Sequence, residues 1–266
     1  MAMETTTSER STTDEPILRT ENLVKKFGQF TATDRVDLTV RRGEFRCIIG
    51  PNGAGKTTLF NLVSGALPVT DGSIYFDGEE ITTLSPSQRV RRGIGRSFQI
   101  SNIFGGLTVR ENVRLAAQSI GRDQYNAVES LFKPTDRYDE MNDRTDRILD
   151  RVGLADVADE TADALAYGDK RRLEIGVVLA TDPDLVLFDE PTAGMSVEET
   201  QETIDLIEEV LVDQTLLLIE HDIELVMELS DRITVLNRGQ ILAEGTPEEI
   251  AENQDVQDAY LGGMVE

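Results

Sequence analysis

Lysine is nearly missing from this sequence. It carries 26 basic against 50 acidic residues, and the only lysines are Lys25, Lys26, Lys56, Lys133 and Lys170. The resulting net charge of −24 repels polyanions, which disfavours direct binding to nucleic acid or to anionic lipid. Acidic excess with so little lysine suggests a protein adapted to a high-salt, halophilic cytoplasm, where screening relieves self-repulsion. Cys47 is the single cysteine, so no intrachain disulfide can form; inside an apolar run it reads as a buried structural thiol. No apolar run approaches the ~20 residues of a membrane span, since even Leu216-Leu217-Leu218-Ile219 is only strand-sized. With no leader-like segment before the first strand pattern either, a soluble cytoplasmic chain is expected. Internal repeats and the guanine-reading N-K-x-D pattern are also missing.

What is present is organised around Gly50-Pro51-Asn52-Gly53-Ala54-Gly55-Lys56-Thr57-Thr58. This run fits G-x-x-x-x-G-K-[ST], a loop whose backbone N–H groups surround a phosphate. Lys56 is placed to reach the β- and γ-phosphates, and the Thr57 hydroxyl to ligate Mg²⁺. Phe45 to Ile49 form an apolar strand before the loop, and Leu59, Phe60, Leu62, Val63 and Leu67 follow at helical spacing. Strand, loop and helix in that order add the positive end of the helix to the site, so a nucleoside triphosphate is the expected ligand. A second element, Leu185-Val186-Leu187-Phe188 ending on Asp189-Glu190, suits a carboxylate pair at a strand end. There Asp189 would bind Mg²⁺ and Glu190 would act as general base toward water.

The remainder divides into a polar tail (residues 1–15) and either one large domain or one domain with an inserted lobe. Strands are expected at Ile17 to Val24, Val36 to Val40 and Ser73 to Phe76, forming an antiparallel patch, and again at Ile94 to Phe98 and Thr215 to Ile219. Ile233 to Leu236 and Gln240 to Ala243 suit a hairpin around Arg238-Gly239. Capping boxes at Thr108/Glu111 and Ser196/Glu199 open helices, and Thr246-Pro247-Glu248-Glu249 opens a terminal one. A short helix is expected from Ser85 to Arg92, and residues 119–138 suit an irregular insertion.

The order GPNGAGKTT, Phe98-Gln99, LAYGDKRRLEI, LVLFDEPT and a post-strand His221 resembles the nucleotide-binding subunit of ATP-binding-cassette (ABC) transporters, over roughly residues 17–262. Arg96-Ser97-Phe98-Gln99, the polar insertion and LAYG followed by RRLEI are similar to the ATPase subunits of branched-chain amino acid importers. The resemblance implies an α/β fold: a P-loop NTPase (RecA-like) core with an antiparallel β subdomain and an inserted α-helical subdomain at about 100–180, within a domain spanning 16–262. It implies ATP and Mg²⁺ as ligands, ATP hydrolysis, transmembrane permease subunits and a second ATPase subunit as partners, and a peripheral place on the inner face of the membrane.

By the same resemblance Phe27 stacks on adenine, Gln99 contacts Mg²⁺ and water, and His221, the only histidine, contacts the γ-phosphate. Ala166-Tyr167-Gly168-Asp169 corresponds to the signature that closes over the partner's ATP. It departs from L-S-G-G-Q: Ala166 lacks the serine hydroxyl, Tyr167 replaces glycine, and Asp169 stands where glutamine is usual. Ser196 stands where many relatives have Asp. Ile100, Ile103, Phe104 and Leu107 suit either the core of the helical lobe or a groove for a membrane subunit. Rival readings are a urea importer or lipopolysaccharide exporter ATPase, the latter disfavoured by Ala166, and a soluble cassette ATPase acting on ribosomes or DNA, disfavoured by charge and by the single cassette.

Overall fold

The computed structural model describes residues 14–97, 103–120 and 134–261. The strands are β1 (Pro16–Phe27), β2 (Phe30–Val36), β3 (Thr39–Arg41), β4 (Phe45–Ile49), β5 (Asp71–Phe76), β6 (Glu79–Glu80), β7 (Ile94–Ser97), β8 (Leu185–Asp189), β9 (Thr215–Ile219), β10 (Arg232–Asn237) and β11 (Gln240–Gly245). The α-helices are α1 (Lys56–Val63), α2 (Pro86–Val90), α3 (Val109–Ile120), α4 (Pro134–Arg151), α5 (Tyr167–Leu179), α6 (Val197–Val210), α7 (Ile223–Leu229), α8 (Pro247–Ala251) and α9 (Gln254–Leu261).

Two sheets carry the molecule. The larger runs β11-β10-β4-β9-β8-β7, parallel except for the antiparallel β10–β11 hairpin. Every residue of β4, β8 and β9 is buried, as a parallel sheet covered on both faces requires. Alternate residues go to opposite cores. Phe45, Cys47, Ile49, Phe188 and Leu218 join one, with apolar residues of α3 to α8. Ile48, Leu187, Leu217 and Ile219 join the other, with Leu59, Phe60, Leu62 and Val63 of α1 and the antiparallel strands. That smaller sheet runs β2-β1-β5-β6, with β3 also on β1. The helices α3, α4 and α5 lie between β7 and β8 in sequence and pack on one another.

Several expectations are corrected. The strand expected over Val36 to Val40 is two strands, and the Thr20 side chain bridges the break: the Leu38 N–H donates to Thr20 Oγ1 at 2.9 Å and Thr20 Oγ1 donates to the Val36 carbonyl at 2.8 Å. Strand β1 continues past Val24 through Phe27 and turns at Gly28 into β2. Part of the stretch expected to be an irregular insertion with weak helical character, 119–138, is helical: α3 runs to Ile120, and Pro134 begins α4. The terminal helix is two, α8 and α9, divided by Asn253, whose side chain accepts from the Asp255 and Val256 amides. Helix α7 was not expected; Asp222 caps it by accepting from the Glu224 and Leu225 amides. The tail (up to residue 13), Phe98, Gln99 and Ile100 lie outside the described residues.

Candidate active site

Register brings the site together. Ile48 of β4 pairs with Ile219 of β9, and Ile219 pairs with Asp189 of β8. The three chains therefore leave the sheet side by side, as Gly50, Glu190 and Glu220, at the carboxyl ends of parallel strands where such folds place ligands.

At the first exit the loop from Gly50 to Gly55 is packed from behind. Gly50 has φ 150°, and a Cβ there would sit 2.1 Å from the Leu236 carbonyl oxygen of β10; Gly55 has φ 103°, and its Cβ would sit 2.5 Å from the Ala32 carbonyl oxygen of β2. Both positions exclude a side chain. Between them the Ala54 N–H donates to the Pro51 carbonyl at 3.1 Å, while Asn52 and Gly53 are exposed at the tip. Helix α1 starts at Lys56 with no side-chain cap and no acid in its first turn, so its first amides point toward the loop without a carboxylate of their own. Lys56 is buried, and its Nζ donates to the Gly50 carbonyl at 2.7 Å. Burial lowers its pKa, opposed by Glu190 and Asp189. Thr57 is exposed and Thr58 half-buried in the same turn.

At the second exit Asp189 is buried, and burial raises its carboxyl pKa against the opposing pull of Arg96. Glu190 follows with φ 51°, a left-handed conformation that costs energy for a residue with a side chain. The turn is held because the Glu190 N–H donates to the Ile219 carbonyl at 3.0 Å. It aims the carboxylate across the strand ends, where Glu190 Oε1 lies 2.9 Å from His221 Nε2.

Glu220, at the third exit, is a residue that sequence reasoning missed. Buried itself, it accepts from the Thr192 hydroxyl at 2.6 Å and from the His221 N–H at 2.9 Å, fastening the loop after β8 to the loop after β9. Its only sequence signal is its place directly between a core strand and His221. Arg96 was noted only as part of a run; its side chain in fact reaches Asp189.

Phe27 and Phe30 face each other across the β1–β2 turn and are 48% and 63% exposed, so both rings are open to a planar ligand. Ala32, which abuts Gly55, is two residues on, so this turn borders the loop. The Lys25 ammonium lies 5.1 Å from the Phe27 ring centre.

Ala166, Tyr167, Gly168 and Asp169 stand apart from this cluster. They open α5, which packs on α3, α4, α6 and β7, whereas α1 packs on β2 and β8. Ala166 is the N-cap without a side-chain bond, Tyr167 is exposed, and open space surrounds Gly168. Asp169 falls in the first turn, where the positive helix end favours a carboxylate.

A cleft of about 760 Å³ runs between α2, β7 and α3, with Ile103, Phe104, Arg91 and Leu115 among its walls. Phe104 is 62% exposed, yet its backbone is fixed: Asn112 accepts from its N–H at 2.8 Å and donates to its carbonyl at 3.1 Å. Ile103 and Phe104 thus border a groove, and Ile100 lies outside the described residues.

Residues 33–193 match the family model described as ABC transporter, and residues 240–266 match one described as branched-chain amino acid ATP-binding cassette transporter. The chain is 42% identical over 253 residues to the high-affinity branched-chain amino acid transport ATP-binding protein LivG of Escherichia coli, covering 93% of this chain and 98% of that one. The solved ADP conformation of MJ1267, an ATP-binding cassette of an ABC transporter, superposes with a TM-score of 0.79 at 34% identity, over 93% of this chain and 99% of that one. A dimeric post-hydrolysis cassette, MJ0796 bound to ADP and Pi, gives a TM-score of 0.69 at 25% identity, over 86% and 98%.

Proposed function

The chain belongs to the ABC transporter family of ATP-binding subunits, and from that premise we propose that it is the ATP-hydrolysing subunit of an importer for branched-chain amino acids. The observation that carries the ATPase reading is the convergence of Lys56, Asp189, Glu190 and His221 at three strand ends held in register. The cargo follows from the names of its relatives and from the C-terminal match.

In this reading residues 16–262 form one ATPase domain with the helices at about 100–180 inserted. The triphosphate lies on the amides from Asn52 to Thr58, with Pro51 and Ala54 shaping the turn and Lys56 turning from the Gly50 carbonyl to the β- and γ-phosphates. Adenine stacks on Phe27. Glu190 accepts a proton from the attacking water, and His221, bonded to it, faces the γ-phosphate. The Thr57 hydroxyl and Asp189 carboxylate are hard oxygen donors that fit Mg²⁺, with Gln99 as a further ligand from outside the described residues. Bound there, Mg²⁺ would neutralise charge developing on the phosphoryl oxygens.

The exposed start of α5 supports a head-to-tail pair with a second cassette, in which Gly168 and its neighbours close over the partner's ATP. The Phe104 cleft is the surface proposed for a permease subunit. No helix among the described residues is long and apolar enough to cross a membrane, so attachment to the inner face would come through that permease.

Glu190→Gln tests the catalytic assignment. It should bind ATP normally and hydrolyse it at least about a hundredfold more slowly. Near-normal phosphate release would remove Glu190 as the base.

A further inference from the structure

One guanidinium touches three parts of the molecule that the proposed function uses separately. Arg96, on β7, is half-buried; its Nη1 donates to Asn61 Oδ1 of α1 at 2.7 Å and to Ser64 Oγ, the residue that ends α1, at 2.9 Å. Its Nη2 donates to Asp189 Oδ2 at 3.3 Å. Arg96 and Ser64 also both line the cleft beside Phe104. The side chains of the ion pair are only 10% and 5% exposed, so water screens it little.

We propose that Arg96 is a positioning residue that holds the Asp189 carboxylate in competition with the divalent cation, and so ties cation occupancy at the phosphate loop to the wall of the cleft. The inference rests on the ATPase reading above. A buried carboxylate needs a positive partner, and Arg96 supplies it before a cation does. A cation arriving at Asp189 brings like charge beside the guanidinium and weakens the bond at Oδ2. Asn61 and Ser64, whose neutral oxygens are unaffected, keep hold of the other nitrogen. The guanidinium then swings about that anchor, and the surface it shares with the cleft changes. Linkage makes the effect reciprocal: an occupant of the cleft that draws Arg96 away from Asp189 raises cation affinity by the same factor.

Binding of a fluorescent ATP analogue, titrated with Mg²⁺ in the full chain, measures the competition without turnover. Arg96→Met should lower the half-saturating Mg²⁺ concentration by about fivefold or more, and Arg96→Lys, which keeps the charge with shorter reach, should fall between. A merely structural Arg96 would lower the melting temperature and leave the Mg²⁺ curve where it is. An unmoved or raised half-saturation in a folded variant overturns the inference. The second measurement places an environment-sensitive fluorophore on Ser87→Cys in the cleft, with Cys47 buried and unlabelled. Emission should shift with the analogue plus Mg²⁺, not with the analogue alone, and Arg96→Met should abolish the shift. Should Arg96→Met not fold, equal emission with and without Mg²⁺ in the otherwise unsubstituted chain overturns the coupling. Failure of the unsubstituted chain to bind the analogue at all overturns the ATPase reading itself.

Discussion

His221 Nε2 lies 2.9 Å from Glu190 Oε1, although the two residues are 31 positions apart on loops leaving different strands. Two features make the meeting possible: the β8–β9 register and the left-handed turn at Glu190. The imidazole is about half exposed, so its removal should disturb function far more than folding. His221→Ala is expected to melt within a degree or two of the unsubstituted chain and to release phosphate at least about tenfold more slowly. Full activity in a steady-state phosphate assay would separate the imidazole from the reaction.

Cys47 gives a pH dependence with a definite sign. Burial pushes its thiol from an ordinary 9.0 up to about 12, with a hydrogen bond to Ser230 pulling the other way. Between those values the folded chain keeps a proton that the unfolded chain loses, so stability falls as pH rises through 9.0. The limit for one group is about 1.4 kcal/mol per pH unit. Urea unfolding of the parent and of Cys47→Ala across that range should differ in slope. A thiol reagent at neutral pH should label Cys47 only at the rate of unfolding.

Gly168 and the open start of α5 lie away from the phosphate loop of their own chain. Activity should therefore require pairing, and specific activity should rise with protein concentration and then level off. Specific activity that is constant down to concentrations where sedimentation shows only monomers would exclude completion of the site by a second cassette.

The exposed face of α6 carries Glu198, Glu202, Asp205 and Glu209, successive like charges three and four residues apart. Together with the net charge of −24, this leads to a stability that rises steeply with salt. The melting temperature should climb between ~0.05 M and ~2 M KCl, where the screening length shrinks severalfold. A flat melting curve and full activity in dilute buffer would remove the high-salt adaptation.

Local chemistry was legible in the sequence, and distant pairing was not. The caps at Thr108/Glu111, Ser196/Glu199 and Thr246/Glu249 all form as reciprocal bonds, because each lies within four residues of chain. The apolar runs of β4, β8 and β9 were legible as strands, and the glycine loop announced itself; their parallel pairing was not. Pro134 was ambiguous, since proline both ends helices and begins them. Asp222 was a visible cap, obscured by its neighbour His221. The bond of Arg96 to Asp189 spans 93 positions, and the clamp of Glu220 on Thr192 spans 28. Neither leaves a periodic trace. The turn at Glu190 was equally invisible, because no propensity selects a left-handed glutamate.

Strand β4, which carries the phosphate loop, lies between β9 and β10, so both its hydrogen-bonding edges are completed by residues beyond 214. The back of the loop is closed by the Leu236 carbonyl against Gly50, and the Gly239 N–H donates to the Ala54 carbonyl at 2.9 Å. During synthesis the nucleotide motif thus emerges more than 150 residues before β9 and β10, which flank its strand and the second of which closes the loop behind Gly50. An emerging chain stopped before β9 would present Phe45 to Ile49 as an apolar strand with two open edges, the form most exposed to mispairing.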